Sequence, residues 1–309
     1  MIKCALLGFT GAGKTTTLLS LTETFTSKNE YNIAKVFLPE KRLIALADAA
    51  DSKKVIPIQI DLIDMPNFNL SDSLFIKNLL EADFIIHIIR AFDNDDPCNN
   101  CNMLEEELIL KDLDTLQNLK KNLKKSNNFV TDAIEHLSEL KLLNTYKNHK
   151  ELAQYNLITN KPILRLYNVK SDSLHTAKYC DGVVYSASLE QDIFLSSTND
   201  KILLCVEHGI DEPILYSVLY AAYQSTGNIM YFTVGPQEAK AWQIPYDCTA
   251  RIAARKIHTS LAQKFVAVEV AQWEDFIQFG SWEKCKKIIH KNPEYIIQDG
   301  EVCLFRSTK

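Results

Sequence analysis

Residues 8–15 read Gly-Phe-Thr-Gly-Ala-Gly-Lys-Thr, a full G-x-x-x-x-G-K-[ST] string. Each residue type answers a need of a bound triphosphate. Gly11 and Gly13 let the backbone curl until consecutive N–H groups face a β-phosphate, Lys14 brings a mobile positive charge to the β- and γ-oxygens, and the Thr15 hydroxyl can ligate Mg²⁺. The apolar run 2–7 precedes the string and a helix-forming stretch follows it, so the order predicts strand, loop, helix. The helix dipole then faces the same oxygens.

A phosphate loop needs an acid from a second strand to hold Mg²⁺ through water, and Asp64 closes the apolar run 56–63 in that manner. Lys14 and Asp64 are the candidate catalytic residues, Thr15 and Asp64 the candidate metal ligands. Switch-type GTPases continue this aspartate as D-x-x-G, whose glycine N–H meets the γ-phosphate. Here the string is Asp64-Met65-Pro66-Asn67, and the proline removes an N–H and stiffens the turn. Guanine reading in such proteins rests on N-K-x-D after a later strand. Asn168-Val169-Lys170-Ser171-Asp172 supplies the asparagine without a carboxylate three residues on, and Asn160-Lys161 precedes the strand, at the wrong end of the sheet. Ser186-Ala187 supplies a small turn at the border of a base.

Elements must position these residues. Strand-like runs recur at 3–8, 55–64, 83–92, 162–168 and 181–186, alternating with helical patterns, which predicts an α/β domain with a parallel-rich sheet. Over 98–155 the pattern changes. Leu104, Leu108, Leu113, Leu116, Leu119 and Leu123, then Ile134, Leu137, Leu140 and Leu143, read as two amphipathic helices joined near 125–129, an inserted helical hairpin or coiled coil. The alternative is that they simply pack on the sheet. From 228 onward short β-rich runs return at 229–234, 241–244, 265–270 and 301–305, with Asp299-Gly300 as a turn, giving a small α+β domain. The expected organisation is a nucleotide-binding domain over 1–97 and 156–227, the hairpin over 98–155, and the tail domain over 228–309.

The chain has 309 residues, 46% of them apolar and 24% charged, with net charge −5 and pI near 5.8. No overall basic field draws it to nucleic acid or membrane, so an RNA partner must meet a local patch. Apolar runs fall short of the ~20 residues that span a bilayer, and no signal-like segment opens the sequence; a cytoplasmic location is expected. The eight cysteines read as reduced thiols. Cys98-x-x-Cys101 lacks a second pair or a histidine beside it in sequence and reads as a polar loop. His87, on an apolar strand, reads as a core residue.

The chain is similar to the Obg-like ATPases of the YchF type. GFTGAGKTT resembles the family's phosphate loop, LPEKRLIALADAADSKKVIPIQIDLIDMPNF its switch segments, EADFIIHIIRAFDND its next strand, and EEELILKDLDTLQNLKK the start of its coiled-coil insertion. NLITNKPILRLYNV resembles the strand before the base motif, N-x-x-E in the family. MYFTVGPQEAKAWQIP, RKIHTSLAQKFVAVEVAQWEDF and EYIIQDGEVCLFR resemble its C-terminal TGS domain, a β-grasp fold. The resemblance implies a P-loop ATPase favouring ATP over GTP, associated with the ribosome or rRNA through hairpin and tail. Carried over by position, Gly8, Gly11, Ala12, Gly13, Lys14, Thr15 and Thr16 hold phosphates, Asn168 and Val169 the adenine, with Ser186 and Ala187 beside it. Phe68 stands at the family's apolar position in place of a catalytic glutamine, which implies slow hydrolysis assisted by K⁺ or a partner.

Departures concentrate in the switches. The segment before Arg42 is shortened, no threonine matches the second Mg²⁺ ligand (Thr26 is a weak candidate), the glycine-rich switch II is missing, and Ser171 replaces the glutamate of N-x-x-E. In the tail, Arg255 stands where a small residue is expected. Three readings stay open: an ATP-hydrolysing regulator, a nucleotide-binding scaffold that has lost turnover, and a GTPase. Candidate RNA contacts are Lys240, Arg251, Arg255, Lys256 and Lys264, with Trp242 and His258 nearby and acids such as Glu238, Asp247 and Glu269 interleaved, and a second cluster at Lys120, Lys121, Lys124 and Lys125.

Overall fold

The computed structural model describes residues 2–22, 25–28, 31–93, 96–122, 127–179 and 181–308. Along it run strands β1 (Ile2–Leu7), β2 (Phe25–Lys28), β3 (Tyr31–Phe37), β4 (Val55–Ile56), β5 (Gln59–Asp64), β6 (Phe84–Arg90), β7 (Ile163–Asn168), β8 (Val183–Tyr185), β9 (Asn228–Val234), β10 (Ala239–Pro245), β11 (Phe265–Ala271), β12 (Ile288–His290) and β13 (Val302–Ser307). Two compact units result: Met1–Val36 with Ile60–Thr226, and Phe37–Gln59 with Gly227–Lys309.

The first unit is α/β. Its seven-stranded sheet has the order β2-β3-β5-β1-β6-β7-β8, with β5, β1, β6, β7 and β8 all parallel. Strands β1 and β6 are apolar almost throughout and buried almost throughout, as central parallel strands covered on both faces must be. From β1 the order runs to β5 on one side and β6 on the other, so the crevice at its carboxyl end is where a ligand finds room. β2 and β3 form an antiparallel hairpin from the segment that matched no switch pattern.

The run 55–64 is not one strand. Pro57 has no N–H to give a ladder, and the chain breaks there: β4 pairs with β10 in the second unit, β5 with β1 in the first. Residues 37–59, which the sequence assigned to the nucleotide-binding domain, thus group with the C-terminal unit.

The hairpin region opens with the helix Pro97–Asn122, whose first two turns carry Cys98 and Cys101, where the sequence reads as a polar loop. The second helix, Asn128–Ser138, begins at the Asn127 side chain, which accepts from Phe129 N at 3.0 Å, and stops short of Leu140. Leu140 is left-handed (φ 56°), and Leu143 lies in a 3₁₀ turn. Leu104 and Leu108 join the sheet's core with Leu7, Phe75 and Ile85, whereas Ile109 and Leu116 pack with Val130, Ala133 and Leu137. The long helix therefore does both things the sequence left open. Buried Asp112 ties it to the turn before β7, accepting from Ile158 N and from the Thr159 N–H and hydroxyl. Leu123, Lys124, Lys125 and Cys180 lie outside the described residues.

In the second unit six strands run β12-β11-β13-β9-β10-β4 with the helices Lys41–Ala49, Ala250–Ile257, Thr259–Gln263 and Trp273–Phe279. Tyr231, Ile244, Ala253, Val268 and Cys303 form its core. At the Asp299-Gly300 turn Gly300 is left-handed (φ 84°) and donates to Met230 O, while Arg42 donates to Asp299 at 2.8 Å and ties the Lys41–Ala49 helix to the turn. Among the described residues no helix is long and apolar enough to cross a membrane.

Candidate nucleotide-binding site

The string 8–15 forms the turn between β1 and the helix Lys14–Leu19, with Gly8, Gly11 and Gly13 at φ 155°, 76° and 100°. At Gly13 a side chain is excluded twice: φ lies where L-residues strain, and an added Cβ would collide with Asn168 Nδ2. The helix has only six residues, so the loop N–H groups rather than a long dipole are the main donors on offer.

The loop opens into a cavity of about 510 Å³ lined by Gly11, Gly13, Lys14, Thr15, Thr16, Phe92, Asn168, Val169, Lys170, Ala187 and Ser188. Gly8, Ala12 and Ser186 stand behind it. Lys14 Nζ donates to Gly8 O at 2.9 Å and to Phe9 O at 3.1 Å, its charge held on the loop's own carbonyls. Burial lowers the Lys14 pKa from the usual lysine value, against the opposing pull of the Asp64 carboxylate. Thr15 Oγ1 donates to Asp64 Oδ2 at 2.7 Å, so the two candidate metal ligands already touch. Asn32 on β3 donates to the same oxygen at 3.3 Å, a neighbour that residue spacing does not reveal.

Directly against the phosphate loop, Asn168 closes the wall with its amide. Nδ2 donates to Ala12 O at 3.0 Å and Oδ1 accepts from Ala187 N at 2.9 Å, which locks β7, the loop and the helix Ala187–Leu195 together. Ser186 is fully buried as that helix's N-cap. Its hydroxyl is used in capping, and Ser188 lines the cavity instead. Phe92 and Lys170 were missed because their approach depends on how β6 and β7 end, which spacing does not encode. Arg90 was missed as well; its Nη1 lies 2.9 Å from where a Cβ on Gly11 would sit, and the guanidinium is held by Asp93.

The switch residues are arranged differently from the binding residues. Thr26 donates to Ile33 O at 3.3 Å within the β2–β3 hairpin. Asn67 Oδ1 accepts from Thr10 Oγ1 at 2.7 Å. Phe68 is edge-on to Phe9 and Phe75, with centroids 6.1 and 5.7 Å away, partly buried against the apolar core of the sheet.

In the second unit, Arg251, Arg255, Lys256 and Lys264 are exposed on and after the helix Ala250–Ile257, while Lys240 lies 3.8 Å over the Trp242 ring. Glu269 does not interleave with them: it is buried and paired with Arg306 at 2.8 Å and Lys287 at 3.1 Å.

The family model YchF-GTPase_C, described as a protein of unknown function, matches residues 229–308. The "Ribosome-binding ATPase YchF" of Haemophilus ducreyi is 30% identical over 360 aligned residues, covering 98% of this chain and 98% of that protein. The Bacillus subtilis protein of the same name is 27% identical, covering 99% of each. These alignments are longer than the chain itself, so the relatives carry segments it lacks. The structure of the Schizosaccharomyces pombe YchF GTPase superposes with a TM-score of 0.85 at 20% identity, covering 99% of this chain and 97% of that one. That likeness carries the fold; the sequence matches carry the kinship. A nucleotide-type loop on a parallel sheet, a tail matching the family model and full-length relatives at 30% identity together make this chain a member of the YchF family.

Proposed function

We propose that the chain is a Mg²⁺-dependent, slowly hydrolysing P-loop ATPase that works in association with the ribosome. The observation that carries the reading is the direct Thr15–Asp64 hydrogen bond beside a cavity lined also by Asn168, Val169 and Ala187. A hydroxyl and a carboxylate 2.7 Å apart form an oxygen-only donor pair that suits Mg²⁺, which takes few protein ligands and completes its shell with phosphate oxygens and water. Thr15, with Asp64 behind it, would hold Mg²⁺, and the ion would supply charge neutralisation for a phosphoryl leaving group. Lys14 exchanges its carbonyl partners for phosphate oxygens, and the loop N–H groups are fixed in advance, so their stabilisation of the transition state costs no reorganisation. With no carboxylate at position 171, nothing selects guanine, and Asn168, Val169, Ala187 and Ser188 make an adenine-tolerant wall.

The names of the relatives support the ribosome as partner. The exposed Arg251, Arg255, Lys256 and Lys264 set is the candidate contact. A second reading, a nucleotide-dependent scaffold without turnover, is favoured by Phe68, which brings no polar group to orient a water, and by the engagement of Thr26 in its hairpin.

Titration with fluorescent ATP and GTP analogues, with and without Mg²⁺ and in K⁺ or Na⁺, together with phosphate release from the same samples, separates the readings. The expected result is Mg²⁺-dependent ATP binding with slow release; binding without release selects the scaffold. Lys14→Ala should abolish nucleotide binding, and unchanged affinity would remove the phosphate-loop assignment. Arg255→Glu should weaken co-sedimentation with ribosomes; undiminished pelleting would exclude this patch as the contact.

A further inference from the structure

Strand β6 and the helix Pro97–Asn122 bring together three chemically unlike groups that the nucleotide site does not use. His87 sits on β6 in register with Arg165 on β7, and Cys101 and Glu105, four residues apart on the helix, share one helical face. All three are buried, at 1, 2 and 5% exposure. Their ligand atoms converge: His87 Nδ1 lies 3.5 Å from Glu105 Oε1 and 3.8 Å from Cys101 Sγ, and Sγ lies 3.5 Å from the same Oε1. A tetrahedral ion with bonds of about 2.0–2.3 Å to nitrogen, oxygen and sulfur requires donor-to-donor edges of about 3.3–3.6 Å.

We propose that His87, Cys101 and Glu105 form a zinc site, an imidazole–thiolate–carboxylate set with solvent as the fourth donor. The mixture of nitrogen, sulfur and oxygen donors is that of a borderline-soft ion and unlike the all-oxygen pair Thr15 and Asp64. Arg165 supplies the outer support such a ligand needs. Its Nε donates to Oε1 at 2.7 Å and its Nη2 to Oε2 at 2.6 Å, and Asp181 holds its remaining side. Each carboxylate oxygen keeps another lone pair, so the fork orients Glu105 without using up its capacity as a ligand. A cavity of about 340 Å³ is lined in part by His87, and another of about 380 Å³ in part by Glu105 and Arg165, so open space lies next to the cluster. On binding, the Cys101 thiol proton leaves to solvent, and neutral His87 carries its hydrogen on Nε2 so that the Nδ1 lone pair faces the ion. Exposed Cys98, one turn earlier on the helix, is the neighbouring thiol against which selectivity can be judged.

The test uses the full chain, stripped of metal and free of nucleotide, titrated with Co²⁺ as the probe. One equivalent should give a thiolate-to-cobalt charge-transfer band with tetrahedral d–d absorption, displaced by Zn²⁺. Co²⁺ at Thr15 and Asp64 gives no such band, because no sulfur lies there, so failure of the nucleotide reading and failure of this one are told apart. Cys101→Ser should abolish the band, and His87→Gln should weaken Co²⁺ binding by more than about a hundredfold. Cys98→Ser should leave the band in place; its loss there as well as in Cys101→Ser would add Cys98 as the fourth donor. A band that survives Cys101→Ser, or no band in the parent protein, overturns the site. Since Cys101→Ser alters a buried position, X-ray absorption of the zinc-loaded parent gives an independent reading. Sulfur at about 2.3 Å with nitrogen and oxygen near about 2.0 Å supports the site, and a shell without sulfur refutes it.

Discussion

Lys14 and Asn168 both bond to carbonyls of the same short loop, and Gly13 lies between the carbonyl Asn168 holds and Lys14 itself. Lys14 Nζ bonds to the carbonyls of Gly8 and Phe9, while Asn168 Nδ2 donates to Ala12 O at 3.0 Å. A methyl group on Gly13 would meet both an unfavourable φ of 100° and the Asn168 amide. Gly13→Ala should therefore cost about 1–3 kcal/mol in urea denaturation and lower ATP affinity by displacing Asn168. Unchanged values for both would mean that the loop relaxes freely. Such a loop is legible in sequence because fixed spacing and glycine are themselves the chemistry. Phe92, Lys170, Ser188 and Asn32 were not legible, since they approach the site only through the ends and register of strands distant in the chain. His87 and Cys101 show the same gap: fourteen residues apart, they meet because one ends up on a strand and the other on the helix that covers it.

At the scale of elements, the helix Ile214–Ser225 begins after Pro213, which offers no side-chain cap, and a different helix meets the need. Glu190, on Ala187–Leu195, accepts from Ile214 N at 2.7 Å while only 3% exposed. Burial pushes its carboxyl up to about 7, against the pull of the Ile214 and Leu215 N–H groups. Above about pH 4.5 the unfolded chain has lost a proton that the folded chain keeps until about pH 7. Stability should therefore fall as pH rises through this window, by on the order of 3 kcal/mol. Glu105 acts in the opposite sense and elsewhere. Burial would raise it, but Arg165 and His87 draw it down to about 2, so its contribution is lost only as pH falls below about 4.5. Urea midpoints of Glu190→Gln and the parent protein should diverge in the variant's favour between pH 5 and 8, and a constant difference would mean that Glu190 titrates normally. The elements themselves were largely legible from alternation of strand and helix patterns. The β2–β3 hairpin and the break at Pro57 were not, because β4 and β5 share one apolar run and differ only in which partner strand each finds.

At the scale of the molecule, the chain crosses from one compact unit to the other three times, near residues 36, 59 and 226. A boundary near 228 could be read where the β-rich tail begins, but the earlier excursion could not. Residues 37–59 carry an ordinary amphipathic helix, and nothing in its sequence says which core it fills. Leu43, Leu46 and Ala47 of Lys41–Ala49 are buried, and Arg42 is anchored on Asp299 of the tail. The two units are therefore not separable by one cut. A chain ending at residue 226 keeps the helix and loses the strands it is tied to, leaving about two leucines' worth of apolar surface, roughly 3–6 kcal/mol of burial, facing water. That fragment should bind a hydrophobic dye and aggregate. A fragment in which residues 37–59 are also replaced by a short Gly-Ser linker should stay dispersed and retain ATP binding, since every lining residue of the 510 Å³ cavity belongs to the first unit. Equal dye binding by the two fragments would show that the excursion contributes nothing to the tail's core.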